Sequence, residues 1–313
     1  MKKFLIRTGC FLLILLLPII IGISLPTTPH ASQSGFFSVY QKDSLLVHTK
    51  SPRIIFIGGS NLSYGLNSQI IKDSLHLNPI NTGISQGLGI KYMLDNTLPF
   101  VKKGDIIVLI PEYFHFYNDY DYISMYTIHT ALDIDKSKFK LLNFKQRLNS
   151  LQFIARISLS KFNPTEYVGF EVDPIDNRYS YNEYGDIFPH LKDTKIAYSE
   201  FPKDMYDVSM FNEEVIRKII EFQNKVIELG GEFYISYCVI QDKSFINWEK
   251  IIKRVEEEFI KNEFTIIGTP ERYILPDSLL SNSPGHPNKE GADIRTLLFL
   301  EDFKKTIMNA ITE

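Results

Sequence analysis

Cysteine is almost missing from this 313-residue chain, which holds only Cys10 and Cys238. Cys10 lies inside the first apolar run and Cys238 ends a strand-like stretch, so the two are not expected to pair. The cysteine count therefore carries no disulfide framework and does not reveal the redox compartment. No CxxC pair or Cys/His cluster suggests zinc, and no metal or organic cofactor is expected. An excess of positive charge is also lacking. The 34 Lys and Arg against 37 Asp and Glu leave a net charge of −3, which argues against a broad basic surface for nucleic acid. The GxGxxG pattern of dinucleotide sites and the GxSxG turn of α/β-hydrolases are absent as well. Tryptophan occurs once.

What is present is an ordinary globular composition, 44% hydrophobic and 23% charged, enough for one large domain or two small ones. The N-terminus is the most informative segment. Lys2, Lys3 and Arg7 precede an apolar run from about Cys10 to Leu25, and early positive charge favours keeping this end in the cytoplasm. The run is near the short limit of about 17–25 residues for a spanning helix. Residues 1–25 are read as a membrane anchor with an extracytoplasmic body. The alternatives are a cleaved signal peptide, leaving a secreted or periplasmic protein, and a buried core helix. Pro29 fits the small-residue rule poorly for cleavage after Ala31. Residues 26–50, rich in Pro, Thr, Ser and Gly, read as a linker, and residues 51–313 as the folded body.

That body opens on Arg53-Ile54-Ile55-Phe56-Ile57, a β-branched run ended by Gly58-Gly59. Asn67 is placed to cap a helix through Ile70, Ile71 and Leu75. Pro79 to Asn81 is a short strand, Leu88 to Phe100 a helix, and Ile106 to Ile110 the clearest buried strand. Residues of about 113–210, rich in Tyr, Asp and Asn, read as an insertion with short helices such as Phe144 to Ser160. Alternation then returns with a helix over Asn212 to Leu229, a strand over Phe233 to Val239, a helix over Ile246 to Lys261, a strand over Phe264 to Ile267 and a closing helix from Lys289 to Ile311. Strands alternating with helices imply a mainly parallel sheet of five strands in a three-layer α/β/α sandwich. Sites in such sheets lie beyond the carboxyl ends of the strands.

Three segments follow strand ends or precede the last helix. Gly58-Gly59-Ser60-Asn61 turns sharply after the first strand and presents a serine. Read alone, it is a turn with a capping serine. Asn81 to Gly89 offers backbone N–H groups for an anion, or is a plain strand-to-helix loop. Ser281 to Asn288 carries His286 in a Pro- and Gly-fixed loop, as a general base or as a merely exposed histidine. Tyr113, Phe114, Phe116, Tyr117, Tyr120 and Tyr122 form a sugar-binding wall or part of the core. Asp119 and Asp121 read as solvated carboxylates, and Glu256, Glu257 and Glu258 as a solvated helix face.

Taken together, an early serine after strand one, a Gly-rich loop after strand two and a late His-Pro before the final helix resemble the block order of the SGNH/GDSL hydrolases. The resemblance covers about 53–110 and 265–305 and not the Tyr-rich middle. It implies a flavodoxin-like sheet, Ser60 as nucleophile, His286 as its base, and backbone donors to an oxyanion from Ser60 and from Gly83, Ser85, Gln86 and Gly87. The family's usual carboxylate lies three or four residues before the histidine, where this chain has Ser283 and Asn282. Asn282 is the expected orienting group, with Asp277 as substitute if the loop folds back. The third block should supply Gly and Asn, and Pro111-Glu112-Tyr113 stands there instead. Asn61, Glu112 and Tyr113 are expected to line the substrate. The resemblance implies an esterase or O-acyltransferase, with acetyl as the expected acyl group, on an extracytoplasmic glycan or envelope ester or a small ester. Its rival is a catalytically degenerate domain that binds glycan or an envelope-assembly partner.

Overall fold

The computed structural model describes residues 1–188 and 198–312, so part of the expected insertion, 189–197, lies outside the described residues. A first helix, α1, spans Lys2–Ser24. It begins well before the apolar run itself, because Lys2, Lys3 and Arg7 are good helix formers. At about 1.5 Å per residue it is long enough to cross a hydrocarbon core of about 30 Å, and it is the single candidate span among the described residues.

The stretch expected to be a linker is in large part folded. Helix α2, Val39–His48, packs Val39 and Leu46 into the interior. Between them Lys42 is buried and donates to the carbonyl of Asn81 at 2.9 Å and to that of Gly185. A lysine on the inward face breaks the apolar pattern, which is why the helix reads as irregular polar chain.

Strand β1, Arg53–Gly58, is buried along its whole length. Its first residue carries a buried guanidinium, donating from Nε to Asp105 Oδ1 at 2.8 Å and to the carbonyls of Leu46 and Phe100. A buried charge is tolerated only when its donors are satisfied, and here they tie β1, α2 and the entry to the third strand together. A short helix α3, Ser60–Gly65, follows at once, then α4, Ser68–Leu75, capped by the Asn67 side chain. Strand β2, Asn78–Asn81, leads to α5, Ile90–Thr97, and β3, Ile106–Ile110.

The insertion holds α6, Met125–His129, and α7, Phe144–Ser160. Helix α8, Glu213–Glu228, then leads into β4, Glu232–Ser236, followed by β5, Ile240–Gln241, and α9, Asp242–Lys261. Strands β6, Ile266–Ile267, and β7, Ile274–Leu275, precede α10, Lys289–Thr312.

The main sheet runs β2-β1-β3-β4-β6 with every pairing parallel, flanked by helices. Counted within the sheet this is the flavodoxin-like order 2-1-3-4-5, whose crossovers diverge between β1 and β3 and open a crevice at their carboxyl ends. One strand is shorter than its apolar run suggests. After Ser236 the chain leaves the ladder, because the Asn61 side chain takes both the N–H (3.0 Å) and the C=O (2.7 Å) of Val239. The next residues form β5, which pairs with β7 in a separate two-stranded sheet.

Candidate active site

Ser60 is the first residue of α3 and stands directly at the carboxyl end of β1. The turn before it admits no side chain. A Cβ on Gly58 would come within 2.6 Å of the Ile110 carbonyl, and one on Gly59 within 2.5 Å of the Gln86 nitrogen. These close approaches pack the loops after β1, β2 and β3 against one another.

His286 arrives from the opposite end of the chain. Its loop is closed by Ser281 N–H donating to the His286 carbonyl at 2.8 Å and by a Leu280–Pro287 bridge. The Pro284 carbonyl accepts from Gln241 N–H at 2.8 Å, fastening the loop to β5. The imidazole Nε2 lies 2.9 Å from Ser60 Oγ, and Nδ1 lies 2.7 Å from Asn282 Oδ1. With an amide oxygen at Nδ1, that nitrogen carries the proton and Nε2 is left to accept from the serine hydroxyl, an assignment that follows from the network. Tyr64 stacks flat on the imidazole, with centroids 4.0 Å apart and planes 4° apart. Burial raises the Tyr64 phenol, as does Asp176, while a hydrogen bond with Asn282 opposes the shift.

The two candidates for the orienting group are thus separated. Asn282 is behind the ring. The Asp277 carboxylate instead accepts from Tyr198 Oη at 3.0 Å and from Gln241, because the loop does not fold back far enough to bring it to Nδ1.

The five expected oxyanion donors also divide. Gly83 N–H donates to Asn81 Oδ1 at 2.9 Å and Gly87 N–H to Ser85 Oγ at 3.2 Å, so both are consumed by their own loop. The side chain of Ser85 serves as that cap. Ser60 and Gln86 line the cavity beside His286, and a first-turn N–H such as that of Ser60 has no intrahelical acceptor. Asn61, expected on the substrate, lines the same cavity, and its side chain holds Val239, clasping α3 to the end of β4.

Glu112 follows β3 and lines the same cavity. It is buried, and neither carboxyl oxygen completes a hydrogen bond. A Cβ on Gly59 would come within 2.3 Å of its Oε1, so this oxygen lies between the serine turn and Gln86. Burial pushes the carboxyl up to about 7, and the nearby backbone N–H groups of Glu112, Asn61 and Gly59, which fall short of hydrogen-bond geometry with it, oppose the shift only in part. Behind it His115 Nδ1 is 3.6 Å from Oε2. His115 Nε2 is 3.2 Å from the Gln86 carbonyl and donates to it, which leaves Nδ1 as an acceptor facing the carboxyl. Burial lowers this imidazole to about 4. A neutral Glu112 beside a neutral His115 is the arrangement that burial favours.

The cavity is about 430 Å³. Its wall brings together Phe36, Phe114, Tyr122, Tyr126 and Trp248 from four separate segments. The aromatic run of 113–122 is therefore split by the fold. Tyr113 and Phe114 reach the cavity, Tyr113 with its hydroxyl buried and unpartnered, whereas Phe116 and Tyr117 are core. Asp119 and Asp121 pair with Lys145 at 3.1 and 3.0 Å, and no group of metal-binding side chains occurs among the described residues. Glu258, expected on a solvated face, is buried and held by Arg254 and Lys261, both at 3.0 Å.

Sequence reasoning passed over Tyr64. Its signal was available, since Ser60 and Tyr64 are four residues apart and share one face of a helix. Comparisons with protein-family models, with curated proteins and with solved structures find no match for this chain.

Proposed function

We propose that this chain is a serine acyl hydrolase or O-acyltransferase of SGNH/GDSL type, held at a membrane by α1, with its body outside the cytoplasm. Removal of α1 as a signal would leave the same body secreted or periplasmic. The observation that carries the reading is the relay Ser60 Oγ–His286 Nε2–His286 Nδ1–Asn282, with contacts of 2.9 and 2.7 Å at the sheet's carboxyl edge. In the reaction, Ser60 Oγ bonds to the acyl carbon while its proton passes to His286 Nε2. The carbonyl oxygen becomes an oxyanion near the N–H groups of Ser60 and Gln86. Collapse breaks the ester bond, and His286 returns the proton to the departing alkoxide. Water or an acceptor hydroxyl then takes the acyl group by the same steps in reverse.

The cavity volume, at the low end for small-molecule sites of about 300–1,000 Å³, suits a short acyl group such as acetyl. Its aromatic wall suits the sugar face of an envelope or extracellular glycan, or a small apolar ester. A second reading is favoured by one observation, the carboxyl of Glu112 at the expected oxyanion position. On that reading the domain binds an acylated glycan or an envelope-assembly partner without turning it over.

Hydrolysis of p-nitrophenyl acetate by the full chain, compared with Ser60→Ala, separates the two. The enzyme reading expects turnover that disappears in the variant. Equal rates in both proteins remove Ser60 as nucleophile, and glycan binding by a hydrolytically silent protein supports the second reading.

A further inference from the structure

Helix α7 stands out because its outward face is apolar. Phe144, Leu148, Leu151 and Leu159 are 76%, 50%, 62% and 50% exposed, and Phe162 just beyond the helix is 49% exposed. Their spacing of i, i+4, i+7, i+15 and i+18 places them within about 80° of one another around a helix of 3.6 residues per turn. Single exposed leucines are ordinary, but five large apolar side chains aligned on one face of a helix form a contact surface for an apolar partner.

The position of α1 indicates that partner. Gly22 of α1 lies so close to α7 that a Cβ there would be 2.2 Å from the Ser158 carbonyl oxygen, and Ser158 flanks the stripe. The end of α1 is tied down further on both sides. Lys136 Nζ donates to the Ile23 carbonyl at 3.0 Å and Lys161 Nζ to the Pro26 carbonyl at 2.7 Å. Ile23 also packs into a cluster with Ile128 and Ile157. Leu17 and Ile20 of α1 are exposed as well, on a helix that packs against α7. The body is therefore docked on its anchor and does not hang from a loose tether. Whatever surrounds the last turns of α1 also meets α7. The helix carries no acidic residue; Lys145 is taken by Asp119 and Asp121, while Arg147 and Arg156 flank the apolar face, a placement suited to anionic headgroups at its rim.

We infer that α7 is a second membrane-contacting element, whose stripe of Phe144, Leu148, Leu151, Leu159 and Phe162 beds in the interfacial layer of the leaflet from which α1 emerges. This rests on α1 being retained as an anchor. Its consequence is a catalytic body held in one orientation on the membrane.

The test uses the full chain with Cys10→Ser, reconstituted in phosphatidylcholine–phosphatidylglycerol vesicles. Single cysteines replace Leu17, Leu148, Leu151 or Ile246 and carry an environment-sensitive fluorophore, and some of the lipid has brominated acyl chains. Ile246, on α9, is an exposed apolar control. Quenching of the Leu148→Cys and Leu151→Cys labels at least threefold above Ile246→Cys, approaching Leu17→Cys, is the expected result. Strong quenching at Leu17→Cys with Leu148→Cys and Leu151→Cys at the Ile246→Cys level overturns the inference and leaves the anchor standing. No quenching at Leu17→Cys or at the stripe overturns both. Excimer emission from pyrene at Leu151→Cys without lipid quenching assigns the stripe to a second copy of the chain and also overturns the inference.

Discussion

The two walls of the cavity are built to different standards. On the Ser60–His286 wall, each atom of the relay meets a partner at hydrogen-bond distance and a tyrosine covers the ring. On the Glu112 wall, both carboxyl oxygens, the Tyr113 hydroxyl and His115 Nδ1 are buried without hydrogen bonds. Buried polar atoms are normally satisfied, and a cluster of exceptions marks a place where something else is needed. The contrast teaches that the proton relay is preorganised by the chain alone. On the proposed reading, a proton or an acyl oxygen completes the anion side.

The largest test of this contrast is Ser60→Ala. Loss of a serine nucleophile from such a relay costs on the order of 10⁴-fold or more in kcat, read by single-turnover ester hydrolysis. An effect below tenfold would place the chemistry elsewhere in the cavity.

Glu112→Gln addresses the other wall. The carboxyl sits at about 7, so it is neutral below that pH and charged above it. A negative charge beside the forming oxyanion raises the barrier, so wild-type kcat should fall as pH rises through about 7. The neighbouring His115, lowered to about 4, and Cys238, raised by burial and by Glu112, stay neutral across this range. The glutamine variant should lose that fall and gain about tenfold or more at pH 8.5. The same shift predicts a stability effect. The folded chain keeps this proton between the ordinary carboxylate value of 4.5 and about 7, where the unfolded chain releases it. Stability from this group is full below 4.5 and is lost as pH rises toward 7. Thermal melts of Glu112→Gln should show a flatter dependence over that window.

Asn282→Asp sharpens the relay side. A carboxylate at Nδ1 stabilises the imidazolium that an amide only orients, so kcat should rise by roughly tenfold. Asn282→Ala should lower it by a similar factor, and unchanged rates in both variants would show that the ring is held by Tyr64 alone. The smallest catalytic effect is expected at Asn61. Asn61→Ala leaves Val239 N–H and C=O unpaired and should cost about 1–3 kcal/mol of stability, measured by denaturant unfolding, with any KM change secondary. A large KM effect at unchanged stability would show that Asn61 touches the substrate directly.

The parallel sheet was readable because its strands are buried on both faces. Runs such as Ile54 to Ile57 and Ile106 to Ile110 then carry the signal without any alternation. Asn67 was readable as a cap, since capping is local. Helix α2 was not, because Lys42 turns inward to reach backbone carbonyls that belong to Asn81 and Gly185, far along the chain. The premature end of β4 was hidden for the same kind of reason, because the group that takes Val239 out of the ladder is Asn61.

By itself, the sequence determined the alternation of buried strands with amphipathic helices, the apolar leading helix, and the three loops that could bear chemistry. These depend on neighbours within a few residues, where periodicity and turn geometry act. Only the tertiary structure decided that Asn282 and not Asp277 stands behind His286, that the Asn61 side chain is taken by Val239, and that Glu112 lies beside the serine turn. Those outcomes depend on which side chains from distant segments reach a shared donor or acceptor first, and no local pattern encodes that competition.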